Sequence, residues 1–269
     1  MNNDTLDDAS ELSYVDAHCH IGHDIDGTRQ TAEILLVKMD QCGIDHAIIF
    51  PFNERMKDQE HCFKRANMLI ANLMNDHPEQ FTGFCRLDPH SPLAIAELKR
   101  CVNELGLRGI KLHPRAQNLD IDAPYMMPIF ELAENYDMPI LMHTSGIVKG
   151  IDPIKSANIV HKFPNVNFIM GHSYKAHYGI TSNDSNSSSA FREILELAYQ
   201  QKNVYFETSF LPTAYLEELI EKIGASQVIF GSDSPYGDPC WEKLTIEALD
   251  IPKSQKIKIS KTNILLLIE

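Results

Sequence analysis

The chain of 269 residues is poor in positive charge: 24 Lys and Arg stand against 37 Asp and Glu, a formal charge of -13. A sequence-independent grip on nucleic acid rests on neutralising phosphates with Lys and Arg, so no nucleic-acid partner is expected, and an anionic membrane surface is disfavoured for the same reason. The deficit is silent on a small anionic substrate, because a metal ion and one or two local Arg residues dominate the field inside a pocket. No run approaches the roughly 18 apolar residues that span a bilayer. Residues 1–11 are polar and acidic, without a basic stretch leading into an apolar one, so neither a secretory signal nor a transit peptide is expected and this segment reads as flexible. The six cysteines (Cys19, Cys42, Cys62, Cys85, Cys101, Cys240) never form C-x-x-C. That spacing argues against a zinc ribbon and for reduced core residues of a cytoplasmic protein. No G-x-G-x-x-G follows the first strand-like run, which weakens a dinucleotide-binding fold. Gly231-Ser232-Asp233-Ser234-Pro235 lacks the G-x-S-x-G spacing of a serine nucleophile. The single Trp241 reads as packing, as do Phe50 and Phe52, with Phe52 a candidate pocket wall.

What is present is ordinary globular material, 43% hydrophobic and 23% charged, arranged in a regular rhythm. Eight short apolar or β-branched runs, at residues 12–17, 46–50, 81–85, 109–112, 139–142, 166–170, 204–206 and 228–230, have strand length. Segments of helical period separate them, at 31–42, 60–76, 92–105, 125–135, 153–162, 190–200 and 213–223, with Gly43 and Gly106 as stops and Ser91 as an N-cap. Strict alternation predicts a parallel sheet covered by helices. Eight repeats in a chain of about this length favour closure into an α/β, (β/α)8 TIM-type barrel, a single domain over residues 12–269. Residues 173–189, rich in Ser and Asn, make a long loop after the sixth strand and read either as a surface insertion or as a lid.

The first strand ends in Asp16-Ala17-His18-Cys19-His20. Residues two apart in an extended chain share a face, so His18 and His20 point together and Cys19 points away. Two imidazoles so placed can serve one divalent ion. His113, His143, His172 and Asp233 each stand where an apolar run stops, at the fourth, fifth, sixth and eighth strands, and the C-terminal ends of the strands are where barrel active sites are built. Lys111 shares a face with His113. Arg86, Asp88, Asn53, Glu54, Arg55 and Arg115 follow strands on the same side, and Arg86 and Arg115 are candidate clamps for a substrate carboxylate.

The motifs VDAHCHIG, GFCRLDP, RGIKLHP, MPILMHTSG, FPNVNFIMGH, NVYFETS and VIFGSDSPYGDP, spread from residue 14 to about residue 239, resemble the amidohydrolase superfamily. The likeness is to its amidohydrolase-2 group, which includes α-amino-β-carboxymuconate-ε-semialdehyde decarboxylase. The resemblance implies a metallo-dependent hydrolase-like barrel in which His18, His20, His143 and Asp233 hold one divalent ion, zinc or alternatively manganese. It makes His172, with Asp233, the group that handles a metal-activated water, His113 a pocket-lining residue, and Glu207 a brace behind the ligands. Some amidohydrolases carboxylate a fourth-strand lysine to bridge two metals, which leaves Lys111 as a position for a second ion. The implied activity is attack of the activated water on an amide, ester or lactone carbonyl of a small, carboxylated substrate. The alternative is non-oxidative decarboxylation of an unsaturated or aromatic acid, and a third reading is a ligand-binding barrel without turnover. Relatives of this kind are often homodimers.

Overall fold

A computed structural model describes residues 12–53, 62–144, 153–173, 195–196 and 198–269. The expected flexible segment 1–11, most of the 173–189 loop, and Glu54 and Arg55 lie outside the described residues. The eight expected strands are found as Val15–His23, His46–Pro51, a third strand in two pieces (Phe81–Gly83 and Cys85–Arg86), Ile110–Leu112, Ile140–His143, Phe168–Gly171, Val204–Glu207 and Val228–Ile229. Each pairs in parallel with the next in sequence. The two pieces of the third strand face different neighbours, the second strand and the fourth, and between them Phe84 N donates to Ile49 O at 2.9 Å. First and eighth strands are joined by Ala17 N to Phe230 O (3.0 Å), His20 N to Ser234 O (2.8 Å) and Ser234 N to His18 O (3.2 Å). These bonds complete the ring, and the fold is a (β/α)8 barrel.

The helices obey their local signals. Thr31 caps Ala32–Cys42, accepting from Ile34 N, and Gly43 ends it with a left-handed φ of 63°. Ser91 Oγ accepts from Leu93 N at 3.2 Å ahead of Ala94–Asn103. Pro153–Lys162 and Thr213–Ile223 match the expected bounds. The helices Pro239–Glu247 and Asn263–Ile268, with intervening helical turns, extend the pattern beyond the expected set.

Two apolar clusters follow from the pleat. Alternate residues such as Cys19, Ile21, Ile110, Leu112, Met142, Met170 and Phe206 face outward and pack under the helices. Val15, Ala17, Ile48, Phe50, Phe84, Leu141, Ile169 and Ile229 face inward and fill the barrel. Ile264 and Leu267 join this inner cluster, so the helix Asn263–Ile268 plugs the barrel where the strands begin. Pairing of the first and second strands slips between Asp16 and Cys19. A bulge here lets Ala17 fill the barrel while His18 and His20, one step out of phase, also turn inward above it.

Two expectations from the sequence are corrected. Cys42 and Cys240, read as reduced, form a disulfide with Cα atoms 4.8 Å apart, tying the end of helix Ala32–Cys42 to the start of Pro239–Glu247; Cys19, Cys62, Cys85 and Cys101 are buried free thiols. Their separation of 198 residues hid the pairing from any spacing rule. Trp241 is 69% exposed and does not pack in the core, because it lies on the outer face of Pro239–Glu247.

Candidate active site

The barrel mouth gathers residues from the ends of all eight strands or just beyond them. His18 Nε2 and His20 Nε2 lie 3.0 and 2.9 Å from Asp233 Oδ1. His172 Nε2 is 3.9 Å from Asp233 Oδ2 and 3.0 Å from His143 Nδ1. Donor atoms about 3 Å apart are what two ligands at about 2.1 Å from one ion present. Among the described residues, His18, His172 and Asp233 form a group whose ligand atoms lie within 4.8 Å of one another. His172 and Asp233 sit at φ of 62° and 59°, and these left-handed turns at the strand ends swing both side chains back toward the axis.

Protonation favours ligation. Burial keeps His20 neutral down to about pH 3 and His172 to about pH 4, and it depresses His143 as well. Burial works against the Asp233 carboxylate, but His18 and His172 outweigh it and hold the group ionised well below the usual range. Metal ions take neutral imidazole and ionised carboxylate, which is what His20, His143, His172 and Asp233 offer; at His18 burial and Lys111 act to lower the pKa, but Asp233 and Glu207 outweigh them and raise it. His18 Nδ1 donates to Glu207 Oε2 at 3.0 Å, which leaves Nε2 turned toward Asp233 and Lys111; a carboxylate placed this way is the brace that metal-ligating histidines use. Among the described residues, the buried His20 Nδ1 has no hydrogen-bond partner. The residues present fit a divalent ion.

Glu207 is the anion on which the site is built. Its Oε2 accepts from His18 Nδ1, from His172 N at 2.9 Å and from Ser209 Oγ at 2.8 Å, and Oε1 accepts from Ser209 N at 2.6 Å. Burial raises its pKa, yet His18 and these donors bring it down to about 2. Gly231 makes room for it: a Cβ there would meet Oε1 at 2.4 Å. Behind the first strand, Asp16 accepts from His18 N (3.0 Å), Ser232 N (2.9 Å) and Ser232 Oγ (2.5 Å), locking the His18 backbone to the Asp233 loop.

Lys111 and Arg86 are both fully buried. Lys111 Nζ stands 2.7 Å from His18 Nε2 and 4.8 Å from the Phe50 ring centre, and burial lowers its pKa to about 7. Arg86 Nε donates to Pro51 O at 2.9 Å and a terminal nitrogen reaches Asn53 Oδ1 at 3.5 Å. His113, whose imidazole burial, Arg86 and Lys111 keep neutral, stacks on His143 with ring centres 3.9 Å apart. Phe52 stacks on His20 at 4.9 Å and meets Tyr236 edge-on. Arg115 is exposed on the one-turn helix Pro114–Gln117 and, among the described residues, does not touch this cluster.

The expected candidates His18, His20, His143, His172, Asp233, Lys111, His113 and Glu207 therefore converge, with Arg86 beside them. Sequence reasoning missed Ser209, Asp16 with Ser232, and Gly231. The only signal for Ser209 was its place two residues past Glu207, and for Gly231 its place two residues before Asp233.

Imidazoles and carboxylates gathered at the C-terminal mouth of a closed parallel barrel define a metal-dependent barrel enzyme. The amidohydrolase family model matches residues 15–265, and the chain belongs to that family, whose members depend on divalent metal. The chain is 28% identical over 243 residues, 73% of its length and 68% of the relative's, to 2-keto-4-carboxy-3-hexenedioate hydratase of Sphingobium sp.. It is 25% identical over 273 residues, 84% of its length and 83% of the relative's, to gamma-resorcylate decarboxylase of Rhizobium sp.. The fold is shared with a dihydroxybenzoic acid decarboxylase from Polaromonas sp. solved with bound manganese, at a TM-score of 0.74 and 21% identity over 96% of this chain and 97% of that one.

Proposed function

We propose that the enzyme is a metal-dependent non-oxidative decarboxylase of an unsaturated or aromatic carboxylic acid. The observation that carries this reading is the charge at the barrel mouth. The fully buried Arg86, and in part Lys111, whose pKa burial lowers to about 7, offset the buried carboxylates Glu207 and Asp233, so a divalent ion there would leave the barrel mouth positive. A substrate carrying a carboxylate, with a second anionic oxygen beside it, restores the balance. The relatives described above, whose names denote a decarboxylase and a hydratase, support carbon–carbon or carbon–oxygen lyase chemistry more than the hydrolysis that the sequence first suggested.

In this reading His18, His20, His143 and Asp233 hold one ion, manganese or zinc. The bound ion supplies a Lewis acid that orients the acid and draws electron density from its oxygens. Arg86 and Lys111 fix the anion, while Phe52 and Tyr236 offer flat faces to a conjugated skeleton. Breaking the carbon–carbon bond leaves its electron pair on the substrate carbon, which takes up a proton as carbon dioxide departs; His172 Nε2 or Asp233 would relay that proton after accepting it from a substrate hydroxyl or from water. A second reading, addition of water across a conjugated double bond, is favoured by the likeness to the hydratase.

The reading also has the protein acting on small molecules in the cytoplasm as a homodimer, without nucleic acid or membrane. Among the described residues, no helix is long and apolar enough to cross a membrane. The Cys42–Cys240 link is the feature that runs against a reducing compartment. The function is tested by incubating the manganese- or zinc-loaded enzyme with gamma-resorcylate, other hydroxybenzoates and carboxylated dienes while following carbon dioxide and product mass together. Carbon dioxide in a one-to-one ratio with acid consumed is expected. Hydrolysis or hydration products without carbon dioxide would overturn the proposal.

A further inference from the structure

We propose that Glu207, acting through the Ser209 hydroxyl, holds the ring proton of His172 on Nδ1 and so keeps the Nε2 lone pair turned to the metal-binding cluster; Ser209 is a positioning residue for that imidazole. Ser209 Oγ lies 2.7 Å from His172 Nδ1 and 2.8 Å from Glu207 Oε2. A hydroxyl has one proton, so it donates to one of these and accepts from the other. The backbone groups Ser209 N and His172 N donate to the same carboxylate, at 2.6 and 2.9 Å, and backbone N–H cannot accept, so Glu207 is the ionised acceptor of the network. An O–H bond to a carboxylate is roughly twice as strong as one to a neutral nitrogen. The Ser209 proton therefore goes to Glu207, and its oxygen accepts the proton on His172 Nδ1.

That assignment fits the opposite edge of the ring. With its proton on Nδ1, His172 offers Nε2 only as an acceptor, and His143 Nδ1 stands 3.0 Å away to donate to it when no ion is bound. The same anion holds the Nδ1 proton of His18 directly, Nδ1 donating to Glu207 Oε2 at 3.0 Å, while His18 Nε2 lies 3.0 Å from Asp233 Oδ1. One buried anion thus fixes the Nδ1 protons of two histidines 154 positions apart, one at first hand and one through a relay. The proton assignment stands on these contacts alone; its consequence for the ion rests on the functional reading given above.

The test uses metal-free protein labelled with 15N at histidine, the His172 signals being identified by their loss in His172→Asn. Wild type is expected to show a protonated Nδ1 and a lone-pair Nε2 at His172. Ser209→Ala should move or mix that signature, and Ser209→Thr, which keeps the hydroxyl, should restore it, with thermal melts confirming that both variants fold. Manganese or zinc alone, titrated into the same proteins, should bind Ser209→Ala about 10- to 100-fold more weakly than wild type, because the same hydroxyl also holds the Glu207 carboxylate that braces His18. A protonated Nε2 at His172 in wild type, or an unchanged signature and unchanged affinity in folded Ser209→Ala, overturns the proposal. Wild type with the expected tautomer but no affinity for either metal supports the proton assignment and overturns the metal reading instead.

Discussion

Replacing Gly231 by Ala adds one methyl group at the place where the buried network has least slack. The new carbon would lie 2.4 Å from Glu207 Oε1 and 2.9 Å from its Cγ and Cδ. Ordinary contact needs roughly 3.5 Å, so the carboxylate must retreat by about 1 Å. Gly231 is not among the glycines with positive φ, so the alanine itself meets no backbone strain and the whole effect passes through Glu207. The bonds that Oε2 accepts, at 2.8 Å from Ser209 Oγ, 2.9 Å from His172 N and 3.0 Å from His18 Nδ1, would stretch beyond hydrogen-bonding range if the group moved so far. Hydrogen bonds to a charged group are worth about 1.5–3 kcal/mol each, so losing one or two of them costs about 2–5 kcal/mol. Urea denaturation of the metal-free protein reads that loss directly. The double variant Gly231→Ala/Glu207→Asp should recover part of it, since the shorter acid withdraws a methylene from the clash, giving a coupling of about 1 kcal/mol or more. An alanine variant with an unchanged urea midpoint would refute the reasoning, because the three atoms nearest that Cβ all belong to Glu207.

Three further outcomes are expected. His18→Ala and Asp233→Ala should remain folded, as judged by circular dichroism, while losing divalent-metal binding and turnover; wild-type rates in either purified variant would remove them from the site. Lowering the pH below about 6.5 should destabilise the metal-free protein: the unfolded chain protonates His20 and His172 near their ordinary values, whereas the folded chain keeps them neutral to about 3 and 4, so it binds fewer protons and loses stability as the pH falls through that window. A urea midpoint that stays flat between pH 6.5 and 4.5 would contradict this. Reducing the Cys42–Cys240 bond, which closes a loop spanning 198 residues, should lower stability by up to about 5 kcal/mol on a chain-entropy account. Thermal melts with and without a thiol reductant, with Cys240→Ser as the control that should not respond, measure it.

What could be read from the sequence is what the periods of secondary structure encode. Alternation of strand and helix gave the barrel, and polar residues at the ends of apolar runs gave His143, His172 and Asp233 their shared rim. The phase relation that turns His18 and His20 inward was legible, because Cys19 does face the outer layer. The bulge that permits Ala17 and His18 both to face in was not, since it depends on pairing with the second strand. Glu207 was visible only as a brace. Its role as a hub needs Ser209, His172 and His18 around one carboxylate, and three-dimensional convergence over 189 positions leaves no local pattern. Gly231 entered the sequence reading only as part of a run that lacks the G-x-S-x-G spacing, yet what it supplies is empty space. Cys42 and Cys240 failed for the same reason, partners chosen by the fold with no spacing to announce them. Arg115, chosen for its place after the fourth strand, lay one helical turn too far on and faces outward.

The Asp16–Ser232 contact has a consequence for how the molecule comes into being. It joins residues 216 apart and fastens the first strand of the barrel to be synthesised to the last. Until that seam closes, the leading strand waits with one edge bare and its two imidazoles unassembled, so the chain must survive most of its synthesis as an open sheet. Maturation of the reactive centre and completion of the scaffold are then a single event, and a chain stalled before residue 232 would lack both the seam and Asp233.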